Sequence, residues 1–235
     1  MASQVAETAA FPSTPAPRRS GVRERILEAA LLGLRTHGIG TLTPTTIARL
    51  AGIRQPNFYA HFKHLDDCLA AAAEHIHAQF VDYNRDAFEN LYRAVVEGRD
   101  FHEQNRLYHI EIVQVLAEHR TISELVFRHR NGSSAFARTL RTLDRQTVAR
   151  VREHLWEWAS LAGISARQID AISLLAEIHV GNVATVMLAL FDGVITDAKA
   201  AGEALATNAE ATTLATFKRL READRAAGAP GSPSA

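Results

Sequence analysis

The sequence predicts an all-α fold in which a small N-terminal three-helix unit precedes a larger helical body. First, apolar residues recur at three- and four-residue steps from about residue 21 to residue 223, and no stretch alternates convincingly as a strand does. Second, proline occurs in this region only at positions 44 and 56, where it suits the first turn of a helix. Third, 47% of the 235 residues are hydrophobic, which provides for a sizeable core.

The composition restricts the class of protein. The chain has a single cysteine, Cys68, which rules out an intrachain disulfide and a cysteine-based zinc site. The absence of disulfides is typical of proteins in a reducing compartment. The first twenty residues lack the pattern of a signal peptide. The longest apolar stretch, residues 171–191, is interrupted by Glu177, His179 and Asn182. We therefore expect a cytoplasmic protein without membrane contact.

The formal net charge of zero hides an asymmetry along the chain. Residues 18–65 carry eight basic and two acidic side chains, whereas residues 66–235 carry 18 basic and 23 acidic ones. A basic module joined to an acidic body suits a polyanionic partner such as nucleic acid, because each phosphate contact releases counterions. Chance clustering of arginines is the alternative interpretation.

Both ends of the chain are predicted to be disordered. Residues 1–20 and 226–235 are rich in Ala, Pro, Ser and Gly and offer little apolar surface to bury. We accordingly divide the chain into a disordered arm at 1–20, a first domain at 21–65, a second at 66–225 and a tail at 226–235.

The first two helices have clear boundary signals. Apolar residues from Val22 to Leu34 form a stripe on a helix over residues 21–37, which Gly38 ends. Thr43 is a predicted N-cap, and Pro44 opens a second helix that Gly52 ends after two turns.

The stretch "GIRQPNFYAHF", residues 52–62, predicts a turn and a third helix from Gln55 to Phe62. Two short helices joined by a glycine-containing turn form a helix-turn-helix. Phe58 and Phe62, four residues apart, should point inward as anchors. The polar side chains then lie on the outer face. Arg, Gln and Asn can form bidentate hydrogen bonds with base edges, and Tyr, His and Lys can reach phosphate oxygens.

Residues 23–69, "RERILEAALLGLRTHGIGTLTPTTIARLAGIRQPNFYAHFKHLDDCL", resemble the DNA-binding domain of the TetR family of bacterial transcriptional regulators. The matching positions are Ile26, Leu27, Ala29, Ala30, Gly38, Thr43, Ile47, Ala48, Ala51, Gly52, Tyr59, His61, Phe62 and Leu69. The resemblance implies a double-stranded DNA operator as partner, and the expected DNA-binding residues are Thr43, Thr45, Thr46, Arg54, Gln55, Asn57, Tyr59, His61 and Lys63.

The sequence departs from the family pattern at three positions. Arg54 stands where Ser or Thr is usual, Pro56 replaces a small residue, and Leu65 replaces a common Lys. We hypothesise that Lys63 and the basic arm formed by Arg18, Arg19 and Arg23 supply the phosphate contact that an apolar residue at position 65 cannot make. The alternative is that Leu65 packs into the helix-turn-helix core.

The body is expected to contain helices at about 66–97, 103–118, 121–129, 134–161, 166–191 and 198–223. The resemblance implies that it binds a small-molecule effector and that its last two long helices form a homodimer interface. A stripe on the final helix is the predicted dimer contact: Leu205, Ala209, Thr212, Thr213, Thr216, Phe217 and Leu220.

Several body residues are candidates for an effector pocket. His179 and Asn182 share one face of a very apolar helix, and a hydrogen-bonded buried pair or a dimer contact is the alternative. Ordinary core packing is likewise the alternative for the other candidates, which are Tyr108, His109, Ile112, Val113 and Leu116. A single Glu-x-x-His pair, Glu74 and His77, falls short of the two that a di-iron bundle requires.

The function expected from these features is regulation of transcription by a repressor that a small, largely apolar molecule releases from a pseudo-palindromic operator. The sequence lacks the Gly-x-Ser-x-Gly, phosphate-loop, His-Glu-x-x-His and dinucleotide motifs. We therefore expect neither catalysis nor a cofactor or metal. The alternative is a helical binding protein or bundle enzyme without operator binding.

Overall fold

The structure is a computed structural model that describes residues 21–97 and 100–228, without the side chains of residues 79–88 and 94–96. The described residues form helices and connecting turns and contain no strand, which confirms the predicted all-α class. The helices are α1 Val22–His37, α2 Pro44–Leu50, α3 Gln55–Tyr59, α4 Leu65–Val96, α5 Phe101–Glu118, α6 Arg120–His129, α7 Ala135–Leu161, α8 Ile169–Phe191 and α9 Ala198–Gly228.

The boundaries differ from the predicted ones mainly at two helices. The third helix ends at Tyr59 rather than at Phe62, although the Phe62 N–H still donates to the Phe58 carbonyl at 3.0 Å, so the chain continues to coil. The last helix continues through Gly228, which corrects the prediction that residues 226–228 are disordered. The predicted disorder of residues 1–20 and 229–235 lies outside the described residues.

The N-terminal helices enclose a core that does not stop at the end of the helix-turn-helix. Ile26, Ile47 and Phe58 are fully buried in one cluster with the first turns of α4. The same cluster takes in the corner between α6 and α7, where Phe136 is fully buried and Leu125 and Leu140 lie beside it. The predicted boundary between residues 65 and 66 therefore crosses a continuous core.

The remaining helices form the body. Helix α9 packs along α5 and α8, while α7 packs between α4 and α8. One apolar cluster joins α5 to the ends of α8 and α9 through Val113, Met187 and Leu205. Another joins α7 to α8 and α9 through Leu155, Ile172 and Phe217. The space between these two clusters is bounded by all of the long body helices.

The connection between α7 and α8 is tied to α9 by one carboxylate. Asp224 accepts hydrogen bonds from the Ser165 backbone N–H and hydroxyl, both at 2.8 Å, and from Arg167 and Gln168. These donors favour the ionised form and hold the pKa of Asp224 well below its usual range.

By length and composition alone, one segment of the described chain, residues 166–191, could cross a membrane. The core helix of a globular protein passes the same test. Here α8 packs against α5, α6, α7 and α9, and it carries Glu177, His179 and Asn182. Its apolar character therefore has an explanation in helix packing.

Gly202 permits a close approach of α9 to α5. A Cβ atom at this position would lie 2.6 Å from the Ile110 Cα and 2.8 Å from the His109 carbonyl oxygen. Because both are backbone atoms, no change of side-chain rotamer could relieve the overlap. The helices can therefore meet at this distance only with glycine at position 202.

We predict that Gly202→Ala lowers the free energy of unfolding by about 1 to 3 kcal/mol, since the added methyl group must push two helices apart. Chemical denaturation measures this loss. Gly40→Ala is the matched control, because a Cβ at Gly40 meets nothing within 4 Å. If the two variants were equally stable, the packing of α9 on α5 would not depend on glycine at position 202.

Candidate nucleic-acid interface and an internal pocket

The start of α2 is fixed by a side-chain cap. Thr43 has extended backbone angles, and its hydroxyl accepts a hydrogen bond from the Thr46 backbone N–H at 3.1 Å. Pro44 occupies the first turn, where a missing N–H costs nothing. This confirms the predicted cap and sets the direction in which α2 leaves the loop.

A turn at Gly52 connects α2 to α3. Gly52 has φ of 66°, a left-handed conformation that glycine adopts without strain, and the Ile53 N–H donates to the Ala48 carbonyl at 3.0 Å. Arg54 then precedes α3 in an extended conformation. The two short helices and this turn form the predicted helix-turn-helix.

Two phenylalanines anchor α3. Phe58 is fully buried, Phe62 is nearly so, and their ring centroids lie 5.8 Å apart. The Arg23 guanidinium of α1 lies over the Phe62 ring at 5.4 Å from its centroid. The inner face of α3 is thereby held against α1 and α4, which leaves its opposite face to solvent.

The structure places the predicted DNA-binding side chains on one accessible part of the molecule. Tyr59 is 49% exposed although it follows Phe58 directly in sequence. Eight of the nine predicted residues are exposed and Thr46 is half-buried; the exposed ones are Thr43, Thr45, Arg54, Gln55, Asn57, Tyr59, His61 and Lys63. Their contact with DNA stays a prediction.

Leu65 is half-buried and packs against the core of the helix-turn-helix. This contact favours the alternative interpretation of the departure from the family pattern, in which Leu65 has a packing role. Asp67 caps the same turn, since its carboxylate accepts a hydrogen bond from the His64 N–H at 3.1 Å. Nearby, the Cys68 thiol is fully buried, and burial raises its pKa to about 12, so it stays protonated.

A cavity of about 160 Å³ lies inside the body. Its described walls come from α4, α5, α6, α7, α8 and α9 and are mostly apolar. The apolar side chains are Leu91, Phe101, Ile112, Leu116, Val126, Phe127, Val151, Leu155, Trp158, Val180, Val183 and Ala209. A mostly apolar pocket with a few polar groups is the usual form of a small-molecule site.

Two neutral imidazoles face this cavity. The His179 Nε2 lies 3.0 Å from the Thr213 hydroxyl, and the His109 Nδ1 lies 2.8 Å from the Asn105 carbonyl oxygen. Burial, together with the nearby His109, lowers the pKa of His179 to about 4. Burial also lowers the pKa of His109. Both rings are therefore uncharged at neutral pH.

One ion pair also lies on the cavity wall. The Arg130 Nε is 3.3 Å from the Asp144 carboxylate, and both side chains are less than 30% exposed. Burial raises the pKa of Asp144, although the charge of Arg130 opposes this shift. The pair places one positive and one negative charge side by side, so their fields largely cancel.

Sequence reasoning identified part of the cavity wall. Tyr108, His109, Ile112, Leu116 and His179 line the cavity as predicted, although their contact with a ligand stays a prediction. Two other predicted residues do not line this cavity. Val113 is fully buried among residues of α8 and α9, and the Asn182 amide donates to Asn208 at 2.9 Å near the surface.

The wall residues from α4, α6 and α7 were missed. They include Arg130, at the end of α6, and Asp144 and Trp158, both on α7. These residues line one cavity because of the way α7 packs against α4 and α8 in the folded chain. The one signal available beforehand was Trp158 itself, a large aromatic residue near the end of an amphipathic helix.

The predicted dimer stripe on α9 also requires correction. Leu205, Ala209, Thr213 and Phe217 are each less than 9% exposed within a single subunit, so they are unavailable to a partner. They pack inward because α9 lies along α5 and α8. Thr212, Thr216 and Leu220 are half-buried.

The fold agrees with that of several solved transcriptional regulators. A TetR-like regulator from Rhodococcus sp. RHA1 is 21% identical, with a TM-score of 0.60 over 83% of this chain and 96% of its own. The fatty acid degradation regulator FadR from Bacillus halodurans is 18% identical, with a TM-score of 0.62 over 81% and 95% of the two chains.

A third solved protein is SmeT, the repressor of the Stenotrophomonas maltophilia multidrug efflux pump SmeDEF. It is 21% identical, with a TM-score of 0.58 over 83% of this chain and 90% of its own. SmeT in complex with triclosan is similar at a TM-score of 0.57 and 24% identity over the same shares of the two chains. No protein-family model and no curated protein sequence matches the chain.

These similarities define the class of fold. The chain has the fold of TetR-type transcriptional regulators, with an N-terminal helix-turn-helix domain and a C-terminal helical domain. This confirms the architecture that the sequence predicts.

We predict that acid destabilises the fold through His179. An unfolded histidine has a pKa of about 6.5, so between pH 6.5 and 4 the unfolded chain binds a proton that folded His179 does not. Stability should therefore fall by about 1 to 3 kcal/mol as the pH drops through this window. Urea titrations of the wild type and His179→Gln test this, and parallel stability curves would contradict it.

Proposed function

We propose that this chain is a ligand-responsive, homodimeric DNA-binding regulator. It acts as a cytoplasmic repressor, and a small, largely apolar molecule that enters the body releases it from a pseudo-palindromic operator. Residues 21–65 supply the DNA contacts, and residues 66–225 supply the ligand site and the dimer contacts. The observation that carries the proposal is the outer face of α3.

The exposed side chains on α3 have the chemistry needed to read DNA. Gln55 and Asn57 each carry an amide that can both donate to and accept from the edge of adenine. Arg54 at the start of the helix can bind guanine in the same bidentate manner. Around them, Tyr59 and Lys63 suit phosphate oxygens. A rigid helix with this pattern is the usual reading element of a helix-turn-helix.

Helix α6 supplies the coupling between the two functions. Leu125 lies in the core beneath the DNA-binding helices, whereas Phe127 and Arg130 face the cavity, and Val126 contacts both regions. A ligand that displaces α6 must therefore disturb the support of α4 and the helix-turn-helix. Coupling of this kind is typically worth about 1 to 3 kcal/mol and acts in both directions.

The outer faces of α8 and α9 supply the dimer contacts. Leu174 and Ile178 lie four residues apart and are 61% and 39% exposed, and Leu214 is 51% exposed. The His179 to Thr213 and Asn182 to Asn208 contacts set α8 and α9 antiparallel, which places Leu214 level with Ile178. Exposed apolar residues in one patch favour a self-complementary interface.

Two of the similar structures support parts of this proposal. SmeT is described as a repressor and has been solved with triclosan, so the same fold can hold a small molecule in a DNA-binding regulator. In this chain the cavity is lined by α8 and α9, which would form the dimer, and by α4 and α6, which pack next to the helix-turn-helix core.

We predict a division of roles on α3, tested on DNA selected from a randomised pool. Asn57→Ala should reduce the preference for selected over random DNA by about 1 to 3 kcal/mol, because the variant cannot make a bidentate base contact. Lys63→Ala should weaken both DNAs alike and reduce the slope of log affinity against log salt by about one. Gel-shift titrations measure both quantities. Failure of the wild type to select any sequence would overturn operator binding itself.

We also predict that the double variant Leu174→Glu and Ile178→Glu dissociates the dimer. Each change removes about 1.5 to 3 kcal/mol of apolar burial and adds a charge, so the dimer dissociation constant should rise at least about 100-fold. Sedimentation equilibrium measures this constant. Leu107→Glu on α5, which alters a leucine that is 46% exposed, is the control. A double variant that stays dimeric would place the interface elsewhere.

A further inference from the structure

The residues that line the cavity indicate which class of ligand it binds. This inference rests on the proposed function, in which a small molecule binds in the body. We propose that its ligand is an uncharged molecule consisting of a single aromatic ring with one short substituent that ends in a hydroxyl group. The size, the aromatic walls, the balance of charge and the unused hydrogen-bonding groups each support one part of this assignment.

The size of the cavity suits a ligand of about one ring. Its volume is about 160 Å³. An engineered protein cavity of about 150 Å³ lined by Leu, Ile and Phe side chains stays dry and binds benzene. A six-membered ring with a short substituent therefore fits without rearrangement of the helices.

The walls favour an aromatic ring over an aliphatic one. Phe101, Phe127 and Trp158 line the cavity. Phe101 contacts the Trp158 ring edge to face at 5.8 Å, and Tyr92 stacks on Trp158 with an interplanar angle of 17°. These contacts fix the indole, so a ligand ring can pack against a rigid aromatic wall in the arrangements that such rings prefer.

The charges on the wall favour an uncharged ligand. Arg130 and Asp144 already neutralise each other, and burial lowers the pKa of His109 and His179. Burial, with a contribution from Arg150, also lowers the pKa of His77 on α4. A ligand cation or anion would have to break the ion pair or remain unpaired in an apolar space, and either is costly.

Two residues of the wall carry groups that a ligand hydroxyl could pair with. Trp158 lines the cavity, and its indole N–H, which is itself buried with almost no accessible surface, has no acceptor within the described part of the chain. Because the Asn105 carbonyl can only accept, the His109 Nδ1 carries the proton, and the neutral ring keeps its Nε2 as an acceptor. A hydroxyl is the smallest group that can accept from one of these and donate to the other.

The test uses four molecules that share one benzene ring and one carbon substituent: benzyl alcohol, toluene, benzoate and benzylammonium. Calorimetry on the full chain should show benzyl alcohol binding most tightly. Toluene should bind about tenfold more weakly because it leaves the wall groups unpaired. The two ions should bind still more weakly. An ion that matches the alcohol, or a panel in which nothing binds, would overturn the assignment.

A matched pair of variants tests the role of the indole. Trp158→Phe keeps an aromatic ring but removes the N–H, so benzyl alcohol should lose about tenfold in affinity while toluene is unchanged. Toluene thereby reports that the variant cavity is intact. Trp156→Phe alters a half-buried tryptophan outside the cavity wall and should change neither affinity. An equal reduction in affinity for both molecules in Trp158→Phe would show that the indole only supports the wall.

A gel-shift on selected DNA separates this proposal from the proposed function. Benzyl alcohol that binds but leaves DNA affinity unchanged would overturn the regulatory link and leave the ligand class intact. Benzoate that binds as tightly as the alcohol and releases DNA would overturn the ligand class and leave regulation intact.

Discussion

The burial of Phe136 beneath the N-terminal helices is the contact on which the rest of the arrangement depends. This side chain begins α7, yet it is fully buried in the same core as Phe58 and Ile26. It holds the α6–α7 corner against α4, and it thereby gives the cavity wall on α6 a fixed position relative to the helix-turn-helix. Because protein cores are packed as densely as crystals, the corner cannot move without disturbing its neighbours.

The helices and turns of the helix-turn-helix domain could be predicted closely because their signals are local. Thr43, Pro44 and Gly52 act through their own backbone geometry, so their effects are visible in a few adjacent residues. The inward position of Phe58 and the outward position of Tyr59 follow from the helical period alone. The same local signals located the body helices, because a long amphipathic stripe and a glycine or capping residue are both encoded in continuous sequence.

The partners of each buried face could not be predicted in the same way. A stripe such as Leu205, Ala209 and Phe217 shows that a helix face is buried, but the pattern is identical whether α5 of the same subunit or a second subunit covers it. For the same reason, the sequence predicted wall residues of the cavity on α5 and α8 but not those on α4, α6 and α7. Arg130, Asp144 and Trp158 line one cavity because α7 packs against α4 and α8, and a pattern within one helix does not show which other helices cover it.

The shared core also has a consequence for protein engineering. A graft that joins the helix-turn-helix domain of one chain to the helical body of another would be cut at Leu65, where the sequence predicts the domain boundary. A graft at that position would pair Ile76 and Phe136 with side chains selected for a different neighbour. The smallest portable unit of this protein therefore includes the buried positions of α4 and the α6–α7 corner, even though the corner lies near the middle of the sequence.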